Sequence, residues 1–289
     1  MKNADGHLLS TSPNGLRTLA IDVGGTGLKA SVLDGNGRMV VPRVRVATPY
    51  PCRPAILLRA IADLIAPLPL FDRISIGFPG VIRDGRVITA PHFDAEAWRD
   101  YPLEAALSRK FDKPARLLND AEVQGLGIVA GHGLEVVLTL GTGVGSAVFS
   151  NGRLTPHLEL AHHPIHDDKT YDDYIGDETR LEVSARKWNR RVLKTIDIVH
   201  SLLHYDILYL GGGNAAKLAI ELPDNVRIAS NDTGITGGIR LWDEDAWPVV
   251  RDSHARNRAG ASAVRRLVRT VAPPRRRSTS PHAYAATPS

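Results

Sequence analysis

A repeated glycine turn constrains the fold of this chain more than any other feature. Residues 25–33 (GTGLKASVL) align with residues 141–149 (GTGVGSAVF). Each copy follows an apolar, β-prone run, at 18–23 and 136–140, and precedes another such run that ends in an Asn-Gly-Arg turn. The copies lie 116 residues apart, which is too far for a solenoid repeat. The sequence therefore predicts two related α/β domains with a cleft between them.

Apolar periodicity places further elements around the two turns. Helices are predicted at 54–66, 103–111, 121–130 and 187–203, and strands at 73–77, 115–119 and 206–210. The expected organisation is a flexible extension at 1–17, an N-terminal α/β domain at 18–118, a C-terminal α/β domain at 119–250 whose last helix packs back on the first domain, and a basic tail at 251–289.

The net charge of +5 is unevenly distributed. Residues 251–289 hold nine arginines and one acid, a net charge of +8, so the rest of the chain carries −3. Residues 261–271 are compatible with a short helix, and disorder is expected beyond Pro273. The tail arginines could hold a polyanion, but a solvated extension is preferred. Nucleic acid is therefore not expected as the main partner.

Several classes of protein are excluded by composition. No run of about 18 apolar residues is present, so no membrane span is expected. Cys52 is the one cysteine, which rules out an internal disulfide and a multi-cysteine zinc site. The polar N-terminus lacks the apolar block of a secretory signal. A cytoplasmic protein is expected.

The two Gly-Thr-Gly turns suit a phosphate chain. Each is followed by a strand, whereas the dinucleotide fingerprint and the Walker A loop both open a helix. Backbone N–H groups in such turns form concave anion sites, so one turn from each domain would hold a polyphosphate from two sides. Asp22 has no counterpart in the second copy, where Leu138 stands. We expect Asp22 to orient a phosphate-bound Mg²⁺ rather than only to cap the turn, since an unpaired acid in an apolar strand is costly.

Three further segments carry candidate chemistry. Asn119 and Asp120 end an apolar strand, where Asp120 is either the general base for an attacking alcohol or a helix N-cap, with neither favoured. Glu159 and His162 could hydrogen-bond sugar hydroxyls. The Gly211-Gly212-Gly213-Asn214 turn follows a strand and opens a predicted helix, which fits either a phosphate site or a tight βα turn.

Together these segments resemble the ROK family of sugar kinases, and within it the polyphosphate glucokinase subgroup. The resemblance covers about residues 18–242 and includes Gly77-Phe78-Pro79-Gly80-Val81 at the sugar loop and Thr233-Gly234-Ile235-Thr236-Gly237-Gly238 near the nucleotide. Residues 169–176 and 187–192 resemble the polyphosphate subgroup, and the cysteine-rich zinc motif of other members is missing, so no zinc is expected. The implied fold is the two-domain actin-like ATPase (ribonuclease H-like) fold with an interdomain cleft.

The resemblance implies a role for each motif. Asp120 stands at the position of the catalytic base. The implied sugar-binding residues are Pro79, Gly80, His92, Asn119, Asp120, Glu159 and His162. The implied phosphate- or nucleotide-binding residues are Asp22 (also the metal residue), Gly24, Gly25, Thr26, Gly27, Lys29, Gly141, Thr142, Gly143, Gly212, Gly213 and Asn214.

Two positions depart from the family pattern. Ala161 replaces the glycine of the usual Glu-Leu-Gly-His motif, and if that turn needs φ > 0 the alanine costs about 1 kcal/mol and shifts His162. His92 stands where many members have a sugar-contacting asparagine, so sugar preference is open to change.

The expected function is phosphoryl transfer from inorganic polyphosphate, ATP or both to the 6-hydroxyl of glucose or a close hexose, with Mg²⁺, in a cytoplasmic homodimer. The alternatives are an ATP-only kinase of mannose or an N-acetylhexosamine, an inactive sugar-binding relative, and a transcriptional regulator. The last would need an N-terminal helix-turn-helix, and 17 residues precede the first predicted strand. Lys29, Arg186, Lys187, Arg190 and Arg191 form a possible polyanion track, with a solvated helix face as the preferred interpretation.

Overall fold

Two five-stranded mixed sheets form the framework of the computed structural model, which describes residues 15–230, 232–243 and 245–246. Most of the predicted 1–17 extension, the possible 261–271 helix and the whole 251–289 tail lie outside the described residues. None of the described helices combines the length and apolar character needed to cross a bilayer.

The first sheet is built from the N-terminal part of the chain. Its strand order is β3-β2-β1-β4-β7, with β1 antiparallel to β2 and parallel to β4. The strands of this part are β1 (Thr18–Val23), β2 (Gly27–Leu33), β3 (Val44–Ala47), β4 (Arg73–Phe78), β5 (Ile82–Arg83), β6 (Arg86–Val87) and β7 (Ala115–Asn119). The helices are α1 (Pro54–Ile65), α2 (Ala95–Trp98) and α3 (Leu103–Phe111).

The second sheet repeats this local arrangement. Its order is β10-β9-β8-β13-β14, with β8 antiparallel to β9 and parallel to β13. The strands are β8 (Leu134–Leu140), β9 (Val144–Ser150), β10 (Arg153–Leu154), β11 (Pro164–His166), β12 (Lys169–Thr170), β13 (Ile207–Gly211) and β14 (Val226–Ile228). The helices are α4 (Asp120–Leu126), α5 (Tyr171–Ile175), α6 (Asp177–Glu182), α7 (Ala185–Leu203) and α8 (Thr233–Thr236), with 3₁₀ turns at Ala215–Lys217 and Gly237–Trp242.

Apolar spacing explains which helix faces are buried. In α1, Pro54 begins the helix and Leu57, Ile61 and Leu64 recur at helical intervals on its buried face. Cys52 lies just before α1, fully buried in the same core. Burial raises the pKa of its thiol to about 11. Its backbone carbonyl accepts a hydrogen bond from the Trp98 indole at 2.7 Å.

Helix α4 is shorter than predicted, because it ends at Leu126 and not near Ala130. The buried Glu135 carboxylate accepts hydrogen bonds from the backbone N–H groups of Ala130, Gly131 and His132 at 2.7–3.1 Å. A continuing helix would bind those N–H groups to its own carbonyls, so the Glu135 carboxylate stabilises a loop in its place.

The chain returns to the first sheet after leaving the second. Ser75 on β4 donates to the Gly238 carbonyl at 2.6 Å and accepts from the Trp242 indole at 2.9 Å. The guanidinium groups of Arg73 and Arg116 lie 4.9 and 4.5 Å from the Trp242 ring centroid. The 3₁₀ turn at Gly237–Trp242 therefore connects the two halves through packing as well as through the chain.

Candidate active site

The two Gly-Thr-Gly turns lie opposite each other across one cleft of about 510 Å³. A Cβ placed on Gly25 would come within 3.6 Å of the Thr142 side chain. Each turn is closed by a backbone hydrogen bond, from Gly24 N to Gly27 O at 3.0 Å in the first turn and from Gly141 N to Gly143 O at 2.9 Å in the second, although the second closure spans one residue fewer. The sequence repeat thus produces two similar turns that border a shared space.

Every residue predicted from the sequence to belong to the site lines this cleft. The residues expected to bind phosphate or nucleotide are Asp22, Gly24, Gly25, Thr26, Gly27, Lys29, Gly141, Thr142, Gly143, Gly212, Gly213 and Asn214. The residues expected to bind sugar are Pro79, Gly80, His92, Asn119, Asp120, Glu159 and His162.

Asp22 has a partner, contrary to the expectation that it is unpaired. The antiparallel register of β1 and β2 places it opposite Lys29, whose Nζ donates to Asp22 Oδ2 at 2.8 Å. The cost of an acid in this strand is therefore reduced by an adjacent ammonium group. The argument for a metal role from an unpaired charge is wrong, and the position of Asp22 on the cleft wall is what remains.

Asn119, and not Asp120, caps helix α4. The Asn119 side chain accepts from the backbone N–H groups of Ala121 and Glu122, and Glu122 Oε2 accepts from Asn119 N, which completes a capping box. Because the cap is already filled, the partly buried Asp120 carboxylate lines the cleft at the first position of the helix. Burial, followed by the nearby Asp22 charge, raises the Asp120 pKa to about 7.

The remaining polar atom of Asn119 positions the loop that contains Pro79 and Gly80. Its Nδ2 donates to the Gly80 carbonyl at 3.1 Å. A Cβ on Gly80 would lie 2.0 Å from the Thr89 carbonyl oxygen, so the loop packs there only with glycine. Both ends of the Asn119 amide are thus engaged by backbone.

A partly buried imidazole connects α4 to Glu159. His157 Nδ1 lies 2.8 Å from Glu122 Oε1, and its Nε2 lies 3.4 Å from Glu159 Oε2. Burial lowers the His157 pKa, but the hydrogen bonds to the two carboxylates outweigh it and raise the pKa to about 9. Burial likewise raises the Glu159 pKa, and the same imidazole outweighs it, so that the net shift is downward. A protonated His157 can donate to both carboxylates at once.

His162 and His92 lie around Asp172. His162 Nδ1 is 3.9 Å from Asp172 Oδ2, and Asp172 Oδ1 accepts from Val144 N at 2.6 Å. A Cβ on Gly143 would be 3.0 Å from His92 Nε2 and 2.9 Å from Asp172 Oδ2. His92 therefore lies next to both glycine turns. Burial raises the Asp172 pKa.

Ala161 is accommodated without strain. It is absent from the residues with positive φ, and its N–H donates to Glu159 Oε1 at 3.1 Å. The energetic cost expected if this turn needed a positive φ does not arise, because the backbone adopts a conformation that any residue can take.

The Gly211–Asn214 turn opens a 3₁₀ turn of three residues and not the expected helix. Gly212 has φ +79°, and a Cβ there would lie 2.4 Å from the Leu140 carbonyl oxygen. Asn214 Nδ2 donates to Gly141 O at 3.2 Å and to Asp177 Oδ1 at 3.0 Å. This amide holds the second Gly-Thr-Gly turn in place, while its Oδ1 accepts from Lys217 Nζ at 2.8 Å and makes no side-chain cap.

Several cleft residues were not predicted from the sequence. The Asn119-x-x-Glu122 spacing is a capping-box signature, and the His157-x-Glu159 spacing places both side chains on one side of an extended segment, so these two signals were available. Asp172, Asp177 and the cations Arg43, Arg45 and Lys217 come to the cleft from distant segments, and no local pattern marks them.

Comparison with known proteins accords with this geometry. The model of the ROK family matches residues 18–163. The chain belongs to the ROK family. It is 29% identical over 217 residues to the polyphosphate glucokinase of Mycobacterium leprae, covering 72% of this chain and 66% of that protein, just under two thirds of its length. It is 34% identical over 146 residues to the N-acetylmannosamine kinase of Escherichia fergusonii, covering 48% of this chain and 49% of that protein.

A solved kinase structure has the same architecture. The inorganic polyphosphate/ATP-glucomannokinase of Arthrobacter sp. strain KM superposes with a TM-score of 0.71 at 28% identity, over 78% of this chain and 97% of that one. Together with the paired mixed sheets, this likeness confirms the predicted two-domain actin-like α/β fold.

Proposed function

We propose that this ROK protein is a sugar kinase that transfers the terminal phosphoryl group of inorganic polyphosphate or ATP to the 6-hydroxyl of glucose or a close hexose. The observation that carries the proposal is the position of Asp120, whose carboxylate lines the same cleft as the two opposed Gly-Thr-Gly turns. A proton acceptor and two phosphate-binding turns in one cleft are the components that phosphoryl transfer to an alcohol requires.

Asp120 acts as the general base in this proposal. Its carboxylate takes the hydroxyl proton as the sugar oxygen attacks the terminal phosphorus. The new O–P bond forms while the bond from phosphorus to the bridging oxygen breaks. The electron pair of that bond leaves with the shortened polyphosphate or with ADP. A pKa of about 7 keeps much of Asp120 ionised at neutral pH and able to accept this proton.

The two glycine turns and Lys29 hold the donor. In this proposal the backbone N–H groups of the turns that are not used to close them donate to phosphate oxygens, and Lys29, Arg45 and Lys217 add positive charge to this side of the cleft. Such preorganised donors stabilise charge on the transferring group. On the acceptor side, Glu159 and His162 bind sugar hydroxyls, and Asn119 acts by holding the Gly80 loop.

The residues present fit a phosphate-bound Mg²⁺. Among the described residues no group of three or more His, Cys, Asp or Glu side chains is arranged to hold a metal ion. Mg²⁺ commonly takes one or two carboxylates from the protein and the remainder from phosphates and water, and Asp22 borders the phosphate side of the cleft. When bound, the ion neutralises charge on the phosphates.

A donor and acceptor panel tests the proposal. Glucose, mannose and N-acetylmannosamine are each supplied with ATP or polyphosphate as the sole donor, and the sugar phosphate is measured directly. We expect glucose 6-phosphate with at least one donor. Turnover of N-acetylmannosamine alone would favour the alternative suggested by the Escherichia relative. No turnover with any pair would leave a sugar-binding protein and contradict the proposal.

We propose domains at 18–118 and 119–250, a homodimer, and a cytoplasmic location. Light scattering of the purified chain gives the oligomeric state, and a monomer at working concentration would contradict the dimer.

A further inference from the structure

Helix α7 carries a row of cations along one face. Lys187, Arg190, Arg191 and Lys194 are spaced i, i+3, i+4 and i+7, which places them together. The opposite face is buried against the second sheet through Trp188, Val192, Ile196 and Val199. Seven residues of helix span about 10 Å, so the charges form an extended row rather than a single point.

This row forms one wall of a second cavity of about 370 Å³. The β11–β12 hairpin contributes His166, Asp167 and Lys169, and α5 contributes Tyr174. Among the lining residues that the structure describes, Asp167 is the one acid, and its carboxylate lies 3.3 Å from His166 Nε2. Five Lys and Arg side chains line the cavity, so its charge is strongly positive.

Three of the four cations of the row lack compensation within the described part of the chain. Lys187, Arg190 and Lys194 are exposed and form no ion pair with any described carboxylate. Like charges at these spacings repel, and the first turn of α7 contains no acid, although acids are favoured there. An anion bound in the cavity would remove both penalties.

The cavity wall is held rigidly. The Arg191 guanidinium lies 4.8 Å from the Tyr174 ring centroid and donates to the Tyr174 carbonyl at 3.2 Å. The Trp188 indole donates to the Ile175 carbonyl at 2.9 Å. These contacts fix α7 against α5.

Helix α5 separates this cavity from the active-site cleft. Its Tyr174 lines the second cavity, whereas its Asp172 lines the cleft. Lys29 lies in the cleft and the α7 cations in the second cavity, so these groups form two sites on the two sides of one short helix. One chain of phosphates would have to pass α5 to occupy both.

We propose that the α7 cavity binds a distal segment of an inorganic polyphosphate chain whose terminal phosphate is in the cleft. The inference rests on the proposed function, which makes polyphosphate a donor. A linear row of cations fits an elongated polyanion. Single-stranded nucleic acid fits less well, because it needs exposed aromatic faces for base stacking. Apart from His166, the one aromatic residue among the described lining residues is Tyr174. Its side chain is covered by Arg191, and the residue is 6% exposed.

The test compares two full-length variants that lose the same charge. The variant of the α7 cavity, called the groove variant, is Lys187→Gln/Arg190→Gln/Lys194→Gln. The matched control is Arg275→Gln/Arg276→Gln/Arg277→Gln in the basic tail. Initial rates are measured with saturating hexose and long-chain polyphosphate, tripolyphosphate or ATP. We expect the groove variant to raise KM for long-chain polyphosphate about tenfold. The slope of log KM against log salt concentration should fall by about two to three, because three cations are lost. KM for the short donors should change less than about twofold.

Each other outcome contradicts a specific statement. If the wild type uses long-chain polyphosphate and the groove variant has the same KM, the distal site is wrong while the kinase function stands. An equal loss in the tail variant would mean that net charge alone matters, and it would overturn the site. If the wild type uses ATP but no polyphosphate, the donor assignment fails and the distal site with it. An oligonucleotide that displaces polyphosphate from the α7 cavity at equal phosphate concentration would contradict the assignment of polyphosphate as its ligand.

Discussion

The Asp120 carboxylate is partly buried beside the charge of Asp22, and both conditions favour its neutral form. Its pKa of about 7 falls in the range where a general base is most effective at physiological pH. We expect kcat to fall as the pH decreases through about 7, because the base becomes protonated. A pH–rate profile measures this limb.

Substitution of Asp120 separates catalysis from binding. Asp120→Asn should lower kcat by about 10²- to 10⁴-fold with little change in KM for the sugar. Thermal unfolding is the control, since removing a carboxylate with a raised pKa should leave the stability unchanged or higher at neutral pH. Undiminished turnover would exclude Asp120 as the base.

Asp22 should control the pH at which kcat falls on the acid side of the pH–rate profile, here called the acid limb. Asp22→Asn removes the negative charge that raises the Asp120 pKa, so the limb should move to lower pH whatever happens to the absolute rate. Asp172→Asn is the matched control, because Asp172 lines the same cleft but does not contribute to the Asp120 shift. A limb that stays in place in Asp22→Asn would contradict the coupling.

His157 should stabilise the fold in a defined pH range. Its pKa is raised to about 9 by two carboxylates, so its contribution is complete below about pH 6.5 and is lost as the pH rises through about 9. The free-energy difference between wild type and His157→Gln should shrink by on the order of 2–3 kcal/mol across that range. His163→Gln removes an exposed imidazole and is the control.

The same substitution tests how the acceptor carboxylate is held. Loss of the imidazole frees Glu159 from α4, so His157→Gln should raise KM for the sugar more than KM for the donor. A constant stability difference with pH, and equal changes in both KM values, would contradict the role of His157 as a positioning residue.

At the scale of elements, the turn at Gly212 determines where the second phosphate turn lies. Gly212→Ala should destabilise the protein by about 2–4 kcal/mol and lower activity, because the methyl group meets the Leu140 carbonyl and φ is positive. Gly131→Ala is the matched control. It has φ +90° but its nearest atom is 3.9 Å away, so it should cost only about 1 kcal/mol. Urea unfolding of both variants measures the difference.

Local signals predicted the elements better than their boundaries and connections. Helix α3 and strand β7 have the predicted ends, since their apolar spacing is regular. The end of α4 was misplaced because it is determined by Glu135, which binds the loop from the next strand. The pairing of Asp22 depended on the register of β1 and β2. Asp172 could not be placed in the cleft, because tertiary packing alone brings α5 there.

The whole molecule depends on the segment that returns from the second half to the first sheet. Trp242→Ala should cost about 2–4 kcal/mol, through loss of its contacts with Arg73, Arg116 and Ser75. Without this contact we expect thermal unfolding to broaden or split as the halves lose their coupling. Trp242→Phe keeps the ring and loses the hydrogen bond, so it should cost about 1 kcal/mol. A sharp transition of unchanged midpoint in Trp242→Ala would contradict this coupling.

The buried thiol of Cys52 has a practical consequence for watching the enzyme work. With a pKa of about 11 and no exposed surface, it has almost no thiolate at neutral pH. Maleimide dyes should therefore not react with it. A pair of cysteines introduced on the rims of the two halves could then carry a fluorophore and an acceptor while the native thiol is retained. Energy transfer between the two dyes would report directly on movement of the halves as hexose and donor are added.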